Sequence, residues 1–460
     1  MSQASFSCLQ LHPDLLKNLD SLGYQAMTPI QERSLPHILA GADLVAQSRT
    51  GSGKTAAFGL GLLARLEVKR FRIQSLVLCP TRELADQVAK ELRRLGRSIH
   101  NIKVLTLSGG TPFGPQRGSL EHGAHIIVGT PGRIEDHLGK GTLRLDDVNM
   151  LVLDEADRML EMGFQSALEA IFERLPRRRQ TLLFSATFPE AIQAIADRIL
   201  VDPVKVQVDA DHDQQSIRQH FYRVESDGRR LNALHRLLLE HRPDSTVVFC
   251  NTKRETQEVA ERLLDFGFSA LALHGDLEQR ERDETLARFA GKSVSILVAT
   301  DVASRGLDID ALDAVINYHL AHDSEVHVHR VGRTGRAGSQ GFACSLYSDQ
   351  ELHKLASLEA RHDRAIEGEP LPPEGVLDRL PMRPPMATLR IDGGKRQKVR
   401  PGDILGALTG ENGIAGKAVG KIQSADNWTY VAVSRDAVKA ALRKLGQGKI
   451  KGRLFRVHLL

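Results

Sequence analysis

Short apolar runs punctuate the first part of the chain: DLVAQ, SLVLCP, KVLTLSGG, HIIVGTP, NMLVLDEAD and QTLLFSAT. Their apolar cores are too short for a helix and show little polar alternation, so each reads as a strand buried on both faces. Between them lie stretches such as TRELADQVAKELRRLG, whose apolar positions recur with the helical period. Buried strands alternating with amphipathic helices predict a parallel sheet covered by helices on both sides. The pattern spans about residues 25–205 and then restarts. HFYRVE, TVVFCNT, SALALHGD, SILVATD, AVINYHL and GFACSLYS predict a second sheet, with helices such as KRETQEVAERLLDFG between its strands. The polar stretch Val208–Gln219 marks the joint.

A proline-rich segment, GEPLPPEGVLDRLPMRPPM, then reads as a stiff linker. Beyond it the order strand, helix, strand, strand, helix, strand predicts a small α+β sheet domain of the kind found in RNA-recognition motifs. The expected architecture is therefore α/β: two tandem parallel-sheet domains, residues 1–207 and 208–365, a linker over 366–385, and an RNA-recognition-motif-like domain over 386–460.

Charge sharpens this division. Residues 386–460 hold 15 Lys and Arg against 5 Asp and Glu, a net of +10, so the rest of the chain carries −5 of the overall +5. A basic module on a mildly acidic body points to a polyanionic partner. The four cysteines are scattered singly, which implies neither a disulfide framework nor a metal site and fits a cytoplasmic protein. The N-terminus lacks the basic start and apolar core of a signal peptide, and no run suits a membrane span.

The stretch SRTGSGKT, Ser48 to Thr55, follows a predicted strand and precedes a predicted helix. That is the setting of a phosphate-binding loop, although Ser48 stands where the pattern G-x-x-x-x-G-K-[ST] has its first glycine. Ser48 is small enough to keep the loop open. Thr50, Gly51, Ser52 and Gly53 would turn their amides toward phosphate oxygens, Lys54 would reach the terminal phosphates, and Thr55 would ligate Mg²⁺. About a hundred residues on, NMLVLDEAD sets Asp154 and Glu155 at a strand end. The first suits the water shell of a metal, and the second suits polarising an attacking water.

The motifs, taken in order, resemble the DEAD-box RNA helicases over roughly residues 6–350. GYQAMTPIQ with upstream Phe6, PTREL, GG, TPGR, DEAD, SAT, VVFCNT, ATDVASRGLDI and HRVGRTGR all occur in the family's sequence. The resemblance implies ATP as substrate with Mg²⁺. Gln31 would read adenine, Tyr24 would stack on it, and Asp308 would bond the ribose. It implies arginine-finger roles for Arg333 and Arg336, in a site completed when the two domains close, and coupling roles for Ser185, Thr187 and His329. The neighbouring His319, His322 and His327 read as surface or packing residues.

RNA-facing positions implied by the same motifs are Thr81, Arg82, Gly110, Thr130 and Arg133 in the first domain, and Thr252, Gly275 and Thr300 in the second. Such contacts position a strand without specifying its sequence. In the tail, Lys395, Arg396, Lys398, Arg400, Lys449 and Lys451, with Lys444 and Arg453, offer phosphate contacts. Trp428 and Tyr430 share one strand face; Trp428 suits base stacking as well as packing, and Tyr430 suits packing better. The runs IDGGKRQKVRPGDILGALTG, GKAVGKIQ and FRVHLL resemble the tail of a ribosomal-RNA-specific member of the family. That implies a 23S rRNA hairpin as partner and a role in large-subunit assembly, with the chain acting as a monomer away from membranes. Two alternatives stand beside it: a general RNA chaperone or mRNA-turnover helicase, and an RNA-binding scaffold with incidental ATPase.

Overall fold

The computed structural model describes residues 4–48, 51–208, 217–304, 312–335, 341–362 and 365–460. In the first domain, seven short strands run parallel: β1 (Leu44–Gln47), β2 (Ser75–Leu78), β3 (Val104–Leu107), β4 (Ile126–Gly129), β5 (Met150–Leu153), β6 (Gln180–Ser185) and β7 (Val204–Gln207). Their spatial order is β3-β4-β2-β5-β6-β1-β7. Strands of four residues hold because both faces are buried. Val77, Val152, Leu182 and Phe184 meet one helical layer, while Leu76, Leu78, Leu151 and Leu183 meet the other. Each such side chain contributes about 1.5–3 kcal/mol through burial. The order leaves the loops after β3, β4 and β2 on one half of the sheet's C-terminal edge and those after β5, β6 and β1 on the other.

The second domain repeats the plan with β8 (Ile217–Arg223), β9 (Thr246–Phe249), β10 (Ala270–Leu273), β11 (Ile296–Ala299), β12 (Ala314–Asn317) and β13 (Gly341–Tyr347). All are parallel, in the order β10-β11-β9-β12-β13-β8. Arg230 and Arg330 are the largest of its fully buried side chains. Such guanidiniums are tolerated only when fully bonded. Arg230 donates to the carbonyls of Tyr318 and Leu346 and pairs with Glu351. His319 joins this cluster through Glu255 and Glu351. Burial pulls the His319 imidazole down, but the two carboxylates outweigh it and hold it above its ordinary range. Burial pushes Glu351 up, yet the bonds from His319 and Arg230 bring it to about 2.

The tail forms an antiparallel sheet of β14 (Met386–Ile391), β15 (Val419–Ser424), β16 (Thr429–Ser434) and β17 (Val457–Leu459), in the order β15-β16-β14-β17. Helices Pro401–Thr409 and Val438–Gln447 cover one face, where Leu389, Ile391, Val431 and Val433 make its own core. The other face is not open. It packs on the second domain's helix Gln279–Ala290 and the turn after it. Thr388 Oγ1 and Ser293 Oγ share a buried 2.6 Å hydrogen bond, Arg390 lies 3.7 Å from Glu284, and Arg280 covers the Trp428 ring at 5.3 Å. Tyr430 is buried here rather than in the tail's own core. Burial, then the Glu284 and Asp283 carboxylates, push its phenol well above the usual range. Trp428 thus carries the Arg280 guanidinium over its ring and remains partly exposed.

The proline-rich segment runs along the second domain instead of through open solvent. Val376 is buried in that domain's core, Arg236 donates to Pro372 O, and Arg379 pairs with Glu240 at 2.8 Å. A segment with few N–H groups of its own is held through a carbonyl that accepts from Arg236 and through its own Arg379.

Candidate active site

Ser48 follows β1, and its amide donates to Ser185 O at 3.1 Å, so the phosphate loop starts tied to the end of β6. Gly51 and Gly53 take φ of +83° and +94°, which non-glycine residues adopt at a cost. At Gly53 space is also lacking: a Cβ would lie 2.5 Å from Gln31 Nε2 and 2.9 Å from Thr28 Oγ1. The loop is braced from behind by the segment that precedes it. Thr28 Oγ1 donates to Ser52 O at 2.7 Å, and Gln31 Nε2 donates to Gly53 O at 3.1 Å. Gln31 Oε1 accepts from Thr28 N at 2.9 Å. A carboxamide has two donors and two lone pairs, so these contacts leave Gln31 one of each. Lys54 and Thr55 open the helix Lys54–Ala64, and buried Lys54 Nζ donates to Ser48 O at 3.1 Å.

Tyr24 donates its hydroxyl to Glu91 at 2.6 Å, with Phe6 edge-on at 6.0 Å and Arg94 over the ring at 5.7 Å. Two of these neighbours, Glu91 and Arg94, come from the helix Arg82–Leu95 and gave no signal in the sequence.

Asp154 and Glu155 cap β5. Glu155 sits at φ +55°, ψ +54°, a left-handed conformation that is strained for a glutamate and typical of functional sites. Asp154 is 3% exposed, and burial raises its carboxyl to about 6 despite the opposing charge of Lys54; Glu155 pushes the same way as burial. Its Oδ1 is buried with no hydrogen-bond partner among the described residues. An orphaned carboxylate oxygen beside a phosphate loop fits the water shell of Mg²⁺.

Asp157, which sequence reasoning did not single out, is the group that joins DEAD to SAT. It accepts from Thr187 N at 2.9 Å, Thr187 Oγ1 at 3.0 Å and Ala186 N at 3.2 Å. Ser185 Oγ donates to Thr187 O at 2.6 Å and accepts from Asp157 N at 3.3 Å. The predicted coupling residues Ser185 and Thr187 thus do meet the last residue of the DEAD segment, Thr187 at its carboxylate and Ser185 at its backbone N–H.

The implied RNA-facing residues of the first domain fall on the other half of the edge. Thr81 follows β2, Gly110 (φ +73°) follows β3, and Thr130 follows β4. Thr81 caps its helix by accepting from Leu84 N at 3.3 Å. Arg82 donates to Gly110 O at 3.4 Å and Arg133 to Thr111 O at 3.0 Å. In the second domain Thr252, Gly275 and Thr300 follow the adjacent strands β9, β10 and β11. His329 lies on the helix Ser324–Val331, and Arg333 follows it. Thr50, Asp308 and Arg336 lie outside the described residues.

Sequence reasoning also missed Arg330. It grips Asp301 with two bonds of 2.6 and 2.7 Å, and donates to Asn251 Oδ1 at 3.0 Å and His319 O at 2.8 Å. It thereby ties together the loops after β9, β11 and β12. A signal was present: the helical spacing of Val326 and Arg330 places the arginine on that helix's buried face. In the tail, Lys395, Arg396, Lys398, Arg400, Lys449 and Lys451 are exposed. Lys451 bonds Lys398 O at 3.2 Å and Asp403 at 3.3 Å, which joins two basic segments distant in sequence.

Residues 28–195 match the DEAD/DEAH box helicase family, 229–338 the helicase conserved C-terminal domain, and 388–459 the DbpA RNA binding domain. The chain is 53% identical over 457 residues to the ATP-dependent RNA helicase DbpA of Escherichia coli, covering 99% of each. It is 42% identical over 363 residues to the DEAD-box ATP-dependent RNA helicase CshA of Bacillus cereus, covering 79% of this chain and 69% of that one. Among solved structures, Dbp5 of S. cerevisiae bound to RNA and ADP BeF3 superposes with a TM-score of 0.73 at 30% identity, over 82% of this chain and all of that one. Among the described residues no helix is long and apolar enough to cross a membrane. With its phosphate loop, its DEAD–SAT clasp and these relatives, the chain belongs to the DEAD-box ATP-dependent RNA helicases, and it is similar to DbpA over nearly its whole length.

Proposed function

We propose that this helicase separates short duplexes in 23S ribosomal RNA during assembly of the large ribosomal subunit, with its tail as the address. The observation that carries this reading is the match of residues 388–459 to the DbpA RNA binding domain, together with the exposed basic turns that Lys451 joins. The chain acts as a monomer in the cytoplasm.

In the ATPase step, Gln31 reads adenine with Tyr24 stacked near it, and the amides from Gly51 to Lys54 cradle the phosphates. Lys54 neutralises the terminal phosphates as charge builds there. Asp154, through water, and Thr55 would hold Mg²⁺, which would supply charge neutralisation at the phosphates. Glu155 polarises the attacking water, and Arg333 and Arg336 serve as arginine fingers, with Asp308 on the ribose. Thr81, Arg82, Gly110, Thr130 and Arg133, with Thr252, Gly275 and Thr300, hold one RNA strand by its backbone. Each ligand favours the state that binds the other, so RNA and ATP tighten one another's binding. Ser185, Thr187 and His329 carry that coupling.

The test compares RNA-stimulated ATPase of the intact protein with a variant carrying Lys395, Arg396 and Lys398 all changed to Ala. Removing residues 386–460 altogether would strip the cover from Ser293 and Gly291 and is less clean. Each protein receives a large-subunit rRNA hairpin fragment or an unrelated RNA of equal length. Preference for the rRNA fragment in the intact protein, lost in the variant, is the expected result. Equal response of both proteins to both RNAs would leave the helicase core standing and replace the ribosomal assignment with general RNA chaperoning.

A further inference from the structure

Between β3 and the helix Phe113–Glu121 the chain makes a tight turn, Ser108–Thr111, that contains Gly110. Three carbonyls of this turn are tied down by side chains. Gly110 O accepts from Arg82, Thr111 O from Arg133 at 3.0 Å, and Ser108 O from the buried amide of Gln116 at 2.9 Å. Gln116 Nε2 also donates to Thr111 Oγ1, which itself donates to Ser108 O at 3.1 Å. The other end of the Gln116 amide is fixed in turn. Its Oε1 lies 3.3 Å from Nε2 of His137, a residue with no exposed surface. The Nδ1 of His137 meets Thr142 Oγ1 at 2.8 Å, and its ring stacks on Phe113 at 4.1 Å. Lys140 Nζ lies 4.1 Å and the Arg133 guanidinium 5.9 Å from the centre of the Phe113 ring.

Carbonyl oxygens turned outward would repel a phosphate backbone, whereas outward N–H groups attract one. We infer that Gln116, oriented by His137, is a positioning residue for RNA: it anchors the carbonyl at the start of the turn so that the Gly110 segment, Arg82 and Arg133 meet the strand together. Neither Gln116 nor His137 touches RNA in this scheme. The inference rests on the reading that this edge of the first domain faces RNA. A buried Gln with both ends engaged has a specific geometric task, because leaving either end unpaired in the interior is costly.

The experiment measures ATPase at saturating ATP against RNA concentration, and separately binding of a fluorescent ATP analogue without RNA. The variants are Gln116→Leu, Thr111→Val and Arg133→Ala in the full-length protein. For Gln116→Leu the expected rise in half-saturating RNA is about tenfold, the scale of one to two lost buried hydrogen bonds. Analogue affinity should stay within about twofold, since the loop after β1 makes none of these contacts. Thr111→Val should move the same way by a smaller factor, and it carries the test if Gln116→Leu fails to fold. Unchanged RNA half-saturation in Gln116→Leu and Thr111→Val, with Arg133→Ala weakened, would overturn the inference alone. No change in any of the three would overturn the RNA-facing reading with it. A parallel loss of analogue affinity would reduce Gln116 to a general structural residue and also overturn the inference.

Discussion

In the first domain the loops after β5 and β6 are held together by a buried carboxylate, Asp157, which gathers N–H and O–H groups of the SAT segment. In the second domain the loops after β9, β11 and β12 are held by a buried guanidinium, Arg330, which gathers carbonyl, amide and carboxylate oxygens. The sheets share a plan, yet the fastening has opposite charge. The difference follows what each edge must present. The first edge carries Lys54 and uses up backbone donors on Asp157, and Asp154 Oδ1 has no hydrogen-bond partner among the described residues. The second consumes oxygen acceptors on Arg330.

The sharpest way to break this comparison is at the groups proposed as catalytic. Lys54→Ala should lower RNA-stimulated ATPase by about a thousandfold, and Glu155→Gln by about 10²–10⁴-fold. Glu155→Gln should retain ATP, read by equilibrium binding. Wild-type turnover in that variant would remove Glu155 from its role. Next comes the cation hub. Arg330→Leu takes a buried guanidinium away from Asp301, Asn251 and the His319 carbonyl and should cost about 3–5 kcal/mol. A calorimetric scan should show the loss in the second domain's transition, with ATP-analogue binding by the first domain intact. A smaller effect is expected at the carboxylate hub. Thr187→Val removes one of the contacts to Asp157 and should slow duplex separation by about five- to tenfold, while ATPase changes less than twofold. Equal losses in both assays would mean that Thr187 serves hydrolysis and not coupling.

The smallest effect is a pH dependence confined to the second domain. Glu351 is depressed from 4.5 to about 2, so its stabilisation is complete above its unfolded value and is lost as pH falls from about 4.5 toward 2. His319 is raised, so its share is complete below 6.5 and fades as pH climbs through its folded value. The second domain's Tm should therefore be highest between those limits and drop by a few degrees in acid. Glu351→Gln should flatten the acid limb. An unchanged acid limb would show that the Arg230–Glu351–His319 cluster does not set it.

Both parallel sheets and the tail's strand order were legible because buried strands and amphipathic helices leave distinct periods. The phosphate loop and DEAD were legible because their chemistry sits in contiguous residues. Asp157 was hidden because its partners lie about thirty residues on, at Ser185 to Thr187, and only the β5–β6 pairing brings them near. Gln116 was hidden for the same reason, since nothing on its own helix marks it for a task. The tail's outer face misled in a different way. Alternation along β14 and β16 does separate Leu389 and Val431 from Thr388 and Tyr430. Period alone cannot say whether the second set meets water, RNA or another part of the chain. Here it meets the helix Gln279–Ala290.

That covered face limits how freely the tail can be exchanged. A Cβ on Gly291 would stand 3.1 Å from the Ala432 Cβ, and Ser293 bonds Thr388 directly. Grafting residues 386–460 onto the core of another helicase would move the basic turns but not their seat. Without a glycine and a hydroxyl at the matching places, the graft would lose its seat, and bound RNA would be held near the engine but not aimed at it.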